Sequence, residues 1–265
     1  DNSRLTRVGG ALPEITSVLF CGPDAGVTAL AAPTSKPYTV TLAARTCPTY
    51  TDIIANRNRN NIQESLEDLG PDTNYTGGEA VNPAQEALRA LPDRLGARLL
   101  IKLLLPTAFA ASGRRLVEAL REHAPKDLVM LCQAGGAAGL RFERLGRNLD
   151  NARIPDNAGD QPRNQPIVPG GPDTCPATLP LNAMYAAVQA LGLPCEWSDD
   201  AGSFVCNHAL YTALHYIAQR RLPTRAGFLH LPWLPGQAAQ TDPPAPSIAL
   251  DKQLQAVLAA LGALG

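Results

Sequence analysis

The sequence lacks several features that would assign it to common classes of protein. It has no basic stripe, and its formal net charge is −1. The electrostatic attraction that nucleic acids and anionic membranes require is therefore missing. No apolar run approaches the roughly 18 residues that span a bilayer. The first residues show no basic-then-apolar signal pattern, which favours a cytoplasmic protein.

Cysteine and histidine usage argues against two further chemistries. The 6 cysteines are scattered without a CxxC pair, which indicates reduced thiols rather than a disulfide framework in a chain of 265 residues. The 4 histidines do not cluster with cysteine or carboxylate at the spacing of metal ligands. We therefore expect no catalytic metal.

Hydrophobic patterning predicts a layered α/β fold. Hydrophobic residues make up 45% of the chain. From about Asn82 onward, short apolar runs alternate with amphipathic stretches. Asn82, Ser203 and Ser247 are expected to cap helices. Strands are predicted at 97–105, 127–132, 140–145, 194–198 and 226–230, and helices at 83–91, 110–123, 179–191, 204–219 and 248–261. Residues 148–174 form a long loop rich in proline, glycine and asparagine, of the kind that is usually functional or mobile.

Cys206 is the first candidate for chemistry. With Ser203 as the cap, Cys206 falls in the first turn of its helix, where unpaired N–H groups and the helix dipole stabilise a thiolate. The alternative is a structural thiol, because Cys206, Leu210, Ala213 and Ile217 share one helical face. By position alone, packing in the core is slightly favoured.

His230 and Glu143 are the candidates that could work with this thiol. His230 ends a predicted strand, and sites collect at the carboxyl ends of strands in open α/β sheets. It fits the base of a nucleophile–base pair better than His123, His208 or His215. Glu143 lies inside an apolar strand, where a carboxylate needs a partner. That partner is either a histidine or one of the arginines at 141 and 144, which would make a strand-to-strand ion pair.

Several ordered motifs resemble the pyroglutamyl peptidase I family (pyrrolidone carboxyl peptidases), a family of cysteine peptidases. They are GGEAVNP at 77–83, QAGG at 133–136 with FER at 142–144, NLDNARIPDN at 148–157, AGSFVCNH at 201–208 and GFLHLPWLP at 227–235. The resemblance covers residues from about 77 to the C-terminus.

The resemblance implies a fold, an activity and a set of roles. The fold would be a single three-layer α/β/α domain with a mixed, mostly parallel sheet. The enzyme would be a thiol-dependent omega-peptidase that releases N-terminal pyroglutamate, without a cofactor and often as a tetramer. Cys206 would be the nucleophile, His230 the general base and then acid, and Glu143 the orienting carboxylate. Arg153 would support the oxyanion, and Gln133 and Phe204 would line the substrate pocket.

The N-terminal part departs from the family. Residues 17–21 are a candidate for the family's first strand, but the next familial residues begin only at Gly77. Residues 1–76 therefore form an atypical segment, either an insertion in the pocket loop or a part foreign to the family core, before the family-like domain at 77–265. The two phenylalanines that line the family's lactam pocket are not evident, although Tyr75 is a candidate to replace one.

Three functions remain open at this level. The first is a pyroglutamyl-specific cysteine exopeptidase, which the presence of Cys206, His230 and Glu143 favours. The second is an altered or inactive family member that acts as a binding protein. The third is a cysteine amidase that acts on another small acyl-amide; the missing pocket phenylalanines favour the second and third.

Overall fold

The computed structural model describes the backbone of residues 15–22 and the full structure of residues 82–265. These residues form nine strands and six helices. The strands are β1 Ile15–Gly22, β2 Arg94–Leu95, β3 Arg98–Pro106, β4 Asp127–Gln133, β5 Leu140–Glu143, β6 Leu145–Arg147, β7 Thr174–Pro176, β8 Cys195–Ser198 and β9 Arg225–Leu231. The helices are α1 Pro83–Ala90, α2 Phe109–His123, α3 Leu181–Gln189, α4 Val205–Arg220, α5 Pro235–Ala238 and α6 Leu250–Gly262.

Seven of these strands form one mixed sheet. Its order is β2-β3-β1-β4-β9-β5-β8. The four consecutive strands β3, β1, β4 and β9 are parallel. Strand β5 runs antiparallel to β9 and parallel to the edge strand β8. The carboxyl ends of β1, β4 and β9 therefore lie at the same edge of the sheet, which is where sites form in α/β folds.

Helices cover both faces of the sheet. Along β4, Met130 and Cys132 pack into a core with α2 and α4. The alternating residues Val129 and Leu131 pack into a second core with α1, α3 and α6. All seven residues of β4 are buried, as expected for a strand covered on both sides. The predicted three-layer α/β/α fold is confirmed.

Most predicted elements are present within a few residues of their expected bounds, and β1 is a strand that includes the expected residues 17–21. One strand prediction was wrong: residues 140–145 do not form a continuous strand, because β5 ends at Glu143 and β6 belongs to a separate two-stranded sheet with β7. Tyr75 and the segment 23–76 lie outside the described residues. In the part of the chain that is described, no helix is long and apolar enough to cross a membrane.

Two of the three expected helix caps were also wrong. Asn82 caps α1, and its side chain accepts from the N–H groups of Ala84 and Gln85. The residues at the N-cap positions of α4 and α6 are Phe204 and Ala249, neither of which makes a side-chain cap. The Ser203 hydroxyl instead donates to the carbonyl of Asn151 at 2.9 Å. The Ser203 hydroxyl therefore bonds to a loop carbonyl and does not cap α4, as the sequence pattern had predicted it would.

Candidate active site

Three neighbouring strands bring Cys132, His230 and Glu143 to one face of the sheet. Cys132 of β4 lies beside His230 of β9 in parallel register. Arg141 of β5 lies opposite His230, and Glu143 is two residues further along β5, so it points to the same face. Diagonal neighbours of this kind are within reach of a long side chain. The strand register thus places the carboxylate beside the imidazole.

Helix α4 brings Cys206 to the same face. Cys206 is the second residue of the helix, and its side chain lies in the core that α4 shares with Met130 and Cys132. It is only 4% exposed, as the packing interpretation of this thiol also predicts. Burial therefore does not separate a nucleophile from a structural thiol, and the contacts of the sulfur have to decide.

Those contacts connect Cys206, His230 and Glu143 in one line. Cys206 Sγ lies within 4.8 Å of a ring nitrogen of His230, and the two groups shift each other's pKa. His230 Nδ1 lies 2.7 Å from Glu143 Oε1, which leaves Nε2 as the nitrogen that faces the sulfur. The arginines at 141 and 144 pair with Glu196 and Asp199 instead. Of the partners expected for Glu143, the structure gives it the histidine.

Cys132 lies next to this line and was not singled out from the sequence. Its Sγ is 3.0 Å from Cys206 Sγ. In the sequence it is the end of an apolar strand, so it looks like an ordinary core residue. Its position is evident only once β4 and β9 are known to be neighbours, because that pairing puts Cys132 beside His230.

Burial and mutual contact shift the pKa values of all three proposed catalytic groups. Burial alone would lower the pKa of His230, but its interactions with Cys206 and Glu143 outweigh that and raise the pKa to about 9. Burial would likewise raise the pKa of Glu143, and the hydrogen bond and charge of His230 lower it instead. Contact with Cys132, together with burial, raises the pKa of Cys206 well above its ordinary value, because two adjacent thiols resist ionising together.

The helix start is fastened to residues 147–151. The buried side chain of Asn207 accepts from the N–H of Arg147 at 2.8 Å and donates to the carbonyls of Arg147 and Leu149 at 2.8 and 2.9 Å. His208 Nδ1 lies 2.8 Å from Asp150 Oδ2. The residues that follow Cys206 thus hold the adjacent loop in place, a role that the sequence patterns did not indicate.

The remaining predicted site residues lie in or beside these elements. Gln133 ends β4 next to Cys132, and its Oε1 accepts from Gln237 Nε2 at 2.9 Å. Phe204 immediately precedes α4 and packs edge-on against Phe109, with ring centroids 5.0 Å apart. Arg153 is exposed in the loop that follows the fastened residues. Tyr75 is outside the described residues.

The turn after β4 has a steric constraint of its own. Gly136 has a φ of +78°, a conformation that glycine adopts most readily. At Gly135, an added Cβ would lie 2.6 Å from ring atoms of Trp233. The turn and the loop after β9 therefore pack closely at the same edge of the sheet as His230.

This arrangement defines a class of enzyme. A thiol in the first turn of a helix, an imidazole and a buried carboxylate match the nucleophile, base and orienting group of acyl-transfer enzymes. The α/β/α sheet presents them where such folds place their sites. Fold and site together are those of a cysteine hydrolase.

Comparison with known proteins identifies the family. A model of the pyroglutamyl peptidase family matches residues 73–264. A pyrrolidone-carboxylate peptidase of Caldanaerobacter subterraneus subsp. tengcongensis is 40% identical over 185 residues, which is 70% of this chain and 91% of that protein. One from Gloeobacter violaceus is 46% identical over 164 residues, 62% of this chain and 80% of the relative. The chain belongs to the pyroglutamyl peptidase family of cysteine peptidases.

Solved structures agree with this assignment. The crystal structure of pyroglutamyl peptidase I from Bacillus amyloliquefaciens matches with a TM-score of 0.72 and 28% identity, over 95% of this chain and 96% of that one. A pyrrolidone carboxyl peptidase mutant from Pyrococcus furiosus matches with a TM-score of 0.71 at 24% identity, and that likeness concerns the fold alone.

Proposed function

We propose that this chain hydrolyses the amide bond that follows an N-terminal pyroglutamyl residue, with Cys206 as the nucleophile. The observation that carries the proposal is the placement of Cys206 Sγ within 4.8 Å of a ring nitrogen of His230, whose Nδ1 lies 2.7 Å from Glu143 Oε1. The family and the names of the relatives supply the substrate class.

The first half of the reaction forms an acyl-enzyme. The unprotonated imidazole of His230, the major form above its pKa of about 9, takes the thiol proton, and Cys206 Sγ attacks the carbonyl that joins pyroglutamate to the next residue. Glu143 stabilises the resulting imidazolium and fixes its ring, since it accepts from Nδ1. The oxyanion lies near the first turn of α4, whose backbone N–H groups are not all used by the helix itself.

His230 donates its proton to the amine as the C–N bond breaks, which completes the acyl-enzyme. In the second half of the reaction, His230 activates a water molecule that hydrolyses the thioester and releases pyroglutamate and the Cys206 thiol. We assign Arg153 to support of the oxyanion charge. The basis is its place in the loop after residues 147–151, which Asn207 and His208 hold against the helix that carries Cys206.

Recognition of the substrate has to act on a neutral lactam. Such a group is bound by apolar walls and a few hydrogen bonds. Gln133 and Phe204 are proposed for these two parts, because Gln133 directly follows Cys132 in the chain and Phe204 lies two residues before Cys206. Tyr75 stays a prediction, as do the tetramer and the cytoplasmic location.

The test is hydrolysis of pyroglutamyl-aminomethylcoumarin. We expect release of the fluorophore by the wild-type chain and loss of it in Cys206→Ser, with little change in the matched variant Cys195→Ser, whose partly buried cysteine lies on the edge strand β8. Turnover that survives in Cys206→Ser would refute the nucleophile. Hydrolysis of other acyl-amides with the pyroglutamyl substrate left intact would refute the specificity and leave the cysteine amidase.

A further inference from the structure

The site contains one more thiol than the proposed reaction uses. Cys132 Sγ, Cys206 Sγ and a ring nitrogen of His230 all lie within 4.8 Å of one another, and all three residues are buried. Every step of the proposed hydrolysis proceeds through Cys206 and His230, so Cys132 has no step of its own. We propose that these three side chains form a binding site for a borderline-soft divalent cation of the Zn²⁺ class, and that the cation inhibits the enzyme reversibly.

The donor set favours such a cation. Two cysteine sulfurs and one imidazole are ligands that zinc prefers, and a set of two cysteines and one histidine also occurs in zinc enzymes that keep a fourth position open for water or substrate. Thiolate ligands select against Mg²⁺ and Ca²⁺, which take oxygen. The site is therefore expected to ignore both of those ions.

The geometry requires only small movements. With Zn–S distances of about 2.3 Å and Zn–N of about 2.0 Å, tetrahedral ligands lie about 3.6 to 3.8 Å apart. The two sulfurs are 3.0 Å apart, so they would separate by less than about 1 Å around an ion of this kind.

Glu143 already provides the outer contact that such a site needs. Histidine ligands of zinc almost always give their other ring N–H to a carboxylate or carbonyl, which fixes the tautomer and the orientation of the ring. In this chain, Nδ1 of His230 is held by Glu143, so Nε2 is directed to the sulfurs. The contact that prepares His230 as a base prepares it equally as a ligand.

Occupation of this site would stop the reaction. A bound cation deprotonates and holds both thiols, so Cys206 Sγ can no longer attack a carbonyl. It also occupies the nitrogen of His230 that has to move protons. The inhibition rests on the proposed roles of Cys206 and His230, whereas binding of the cation rests on geometry alone.

The test separates binding from activity. With a phosphine reductant that keeps the thiols reduced, Co²⁺ titrated into the whole wild-type chain should give a thiolate-to-metal absorption band in the near ultraviolet. Cys132→Ser and Cys206→Ser should each lose about half of its intensity, and Cys195→Ser should keep it. The absence of a band in the wild type, or an undiminished band in Cys132→Ser, would overturn the site. A band in a chain without peptidase activity would leave the site standing and refute the proposed function instead.

The inhibition is measured with Zn²⁺ held at defined free concentrations by a chelating buffer. Wild type should lose activity and regain it when excess chelator is added. Cys132→Ser should need at least about 100-fold more free Zn²⁺, because loss of a direct ligand should exceed the 10- to 100-fold cost of losing an outer contact. Equal sensitivity of the two proteins would overturn the role of Cys132, and their thermal unfolding transitions show whether the variant is folded.

Discussion

Replacing Glu143 by glutamine tests the central contact of the site. The amide keeps the shape and still offers an oxygen to His230 Nδ1, but it removes the negative charge. In the wild type, the pKa of His230 rises from 6.5 to about 9, a difference of about 2.5 pH units, or about 3 kcal/mol in favour of the imidazolium. Glu143 shares this stabilisation with Cys206, which is the larger contributor, so we expect Glu143→Gln to remove less than half of it, about 1.4 kcal/mol.

Two measurements follow from that loss. Above pH 9, where His230 is mostly unprotonated in both proteins, kcat/KM on a pyroglutamyl amide should fall about 10-fold, because about 1.4 kcal/mol of transition-state stabilisation is lost where the imidazolium forms. In NMR titrations, His230 should lose its proton at a lower pH than in the wild type. A His230 that still titrates near pH 9 in Glu143→Gln would refute the reasoning. Glu86→Gln, which removes the carboxylate that pairs with Arg89 on α1, is the matched control and should leave both values unchanged.

The same variant changes how stability depends on pH. The raised pKa of His230 stabilises the fold fully below 6.5, and that stabilisation is lost as the pH rises through about 9. The lowered pKa of Glu143 stabilises it above its ordinary value of 4.5, and that stabilisation is lost at lower pH. The difference in free energy of unfolding between wild type and Glu143→Gln should therefore be largest between pH 4.5 and 6.5.

Three further substitutions probe the surroundings. Cys132→Ala should lower the pKa of Cys206 and move the rising limb of the pH–activity profile to lower pH; a move to higher pH would mean that Cys132 donates to the thiolate. Asn207→Ala leaves three partly buried backbone groups without their side-chain partner, and its urea unfolding should show a loss of about 3 kcal/mol; an unchanged midpoint would contradict the fastening role. Gly135→Ala should displace Trp233, which its fluorescence reports, and an unshifted spectrum would contradict the close packing.

The elements that the sequence predicts well are those whose signal is local. Strand β4 is a continuous apolar run, and α1 begins at an asparagine followed by proline, so both were expected near their observed bounds. Ser203 failed as a cap because its hydroxyl has a partner in the loop at Asn151, fifty-two residues away in the chain. Contacts over that distance leave no periodic trace in a sequence.

The residues of the proposed site likewise could be predicted only where they carry a local signal in the sequence. Cys206, His230 and Glu143 could each be suspected because each is anomalous where it stands: a thiol at a helix start, an imidazole at a strand end and a carboxylate within an apolar strand. Cys132 is not anomalous, since a cysteine at the end of a buried strand is ordinary. Cys132 is a neighbour of the imidazole only because β4 pairs with β9. The paired residues Asp127 and Arg225 of these strands are ninety-eight residues apart in the chain.

The proposed site residues come from two layers of the fold, the sheet and helix α4, so the distances between them respond differently to movement. His230 and Glu143 lie on adjacent strands of one hydrogen-bonded sheet, so their distance is fixed by register and is insensitive to loop movements. The sulfur of Cys206 belongs to α4, so its distance to the imidazole depends on the position of that helix relative to the sheet. Asn207 and His208 follow Cys206 directly and bind the helix start to residues 147–150, which lead into the loop of Arg153. Shifts in that loop are therefore expected to change the thiol–imidazole contact before they affect the imidazole–carboxylate pair.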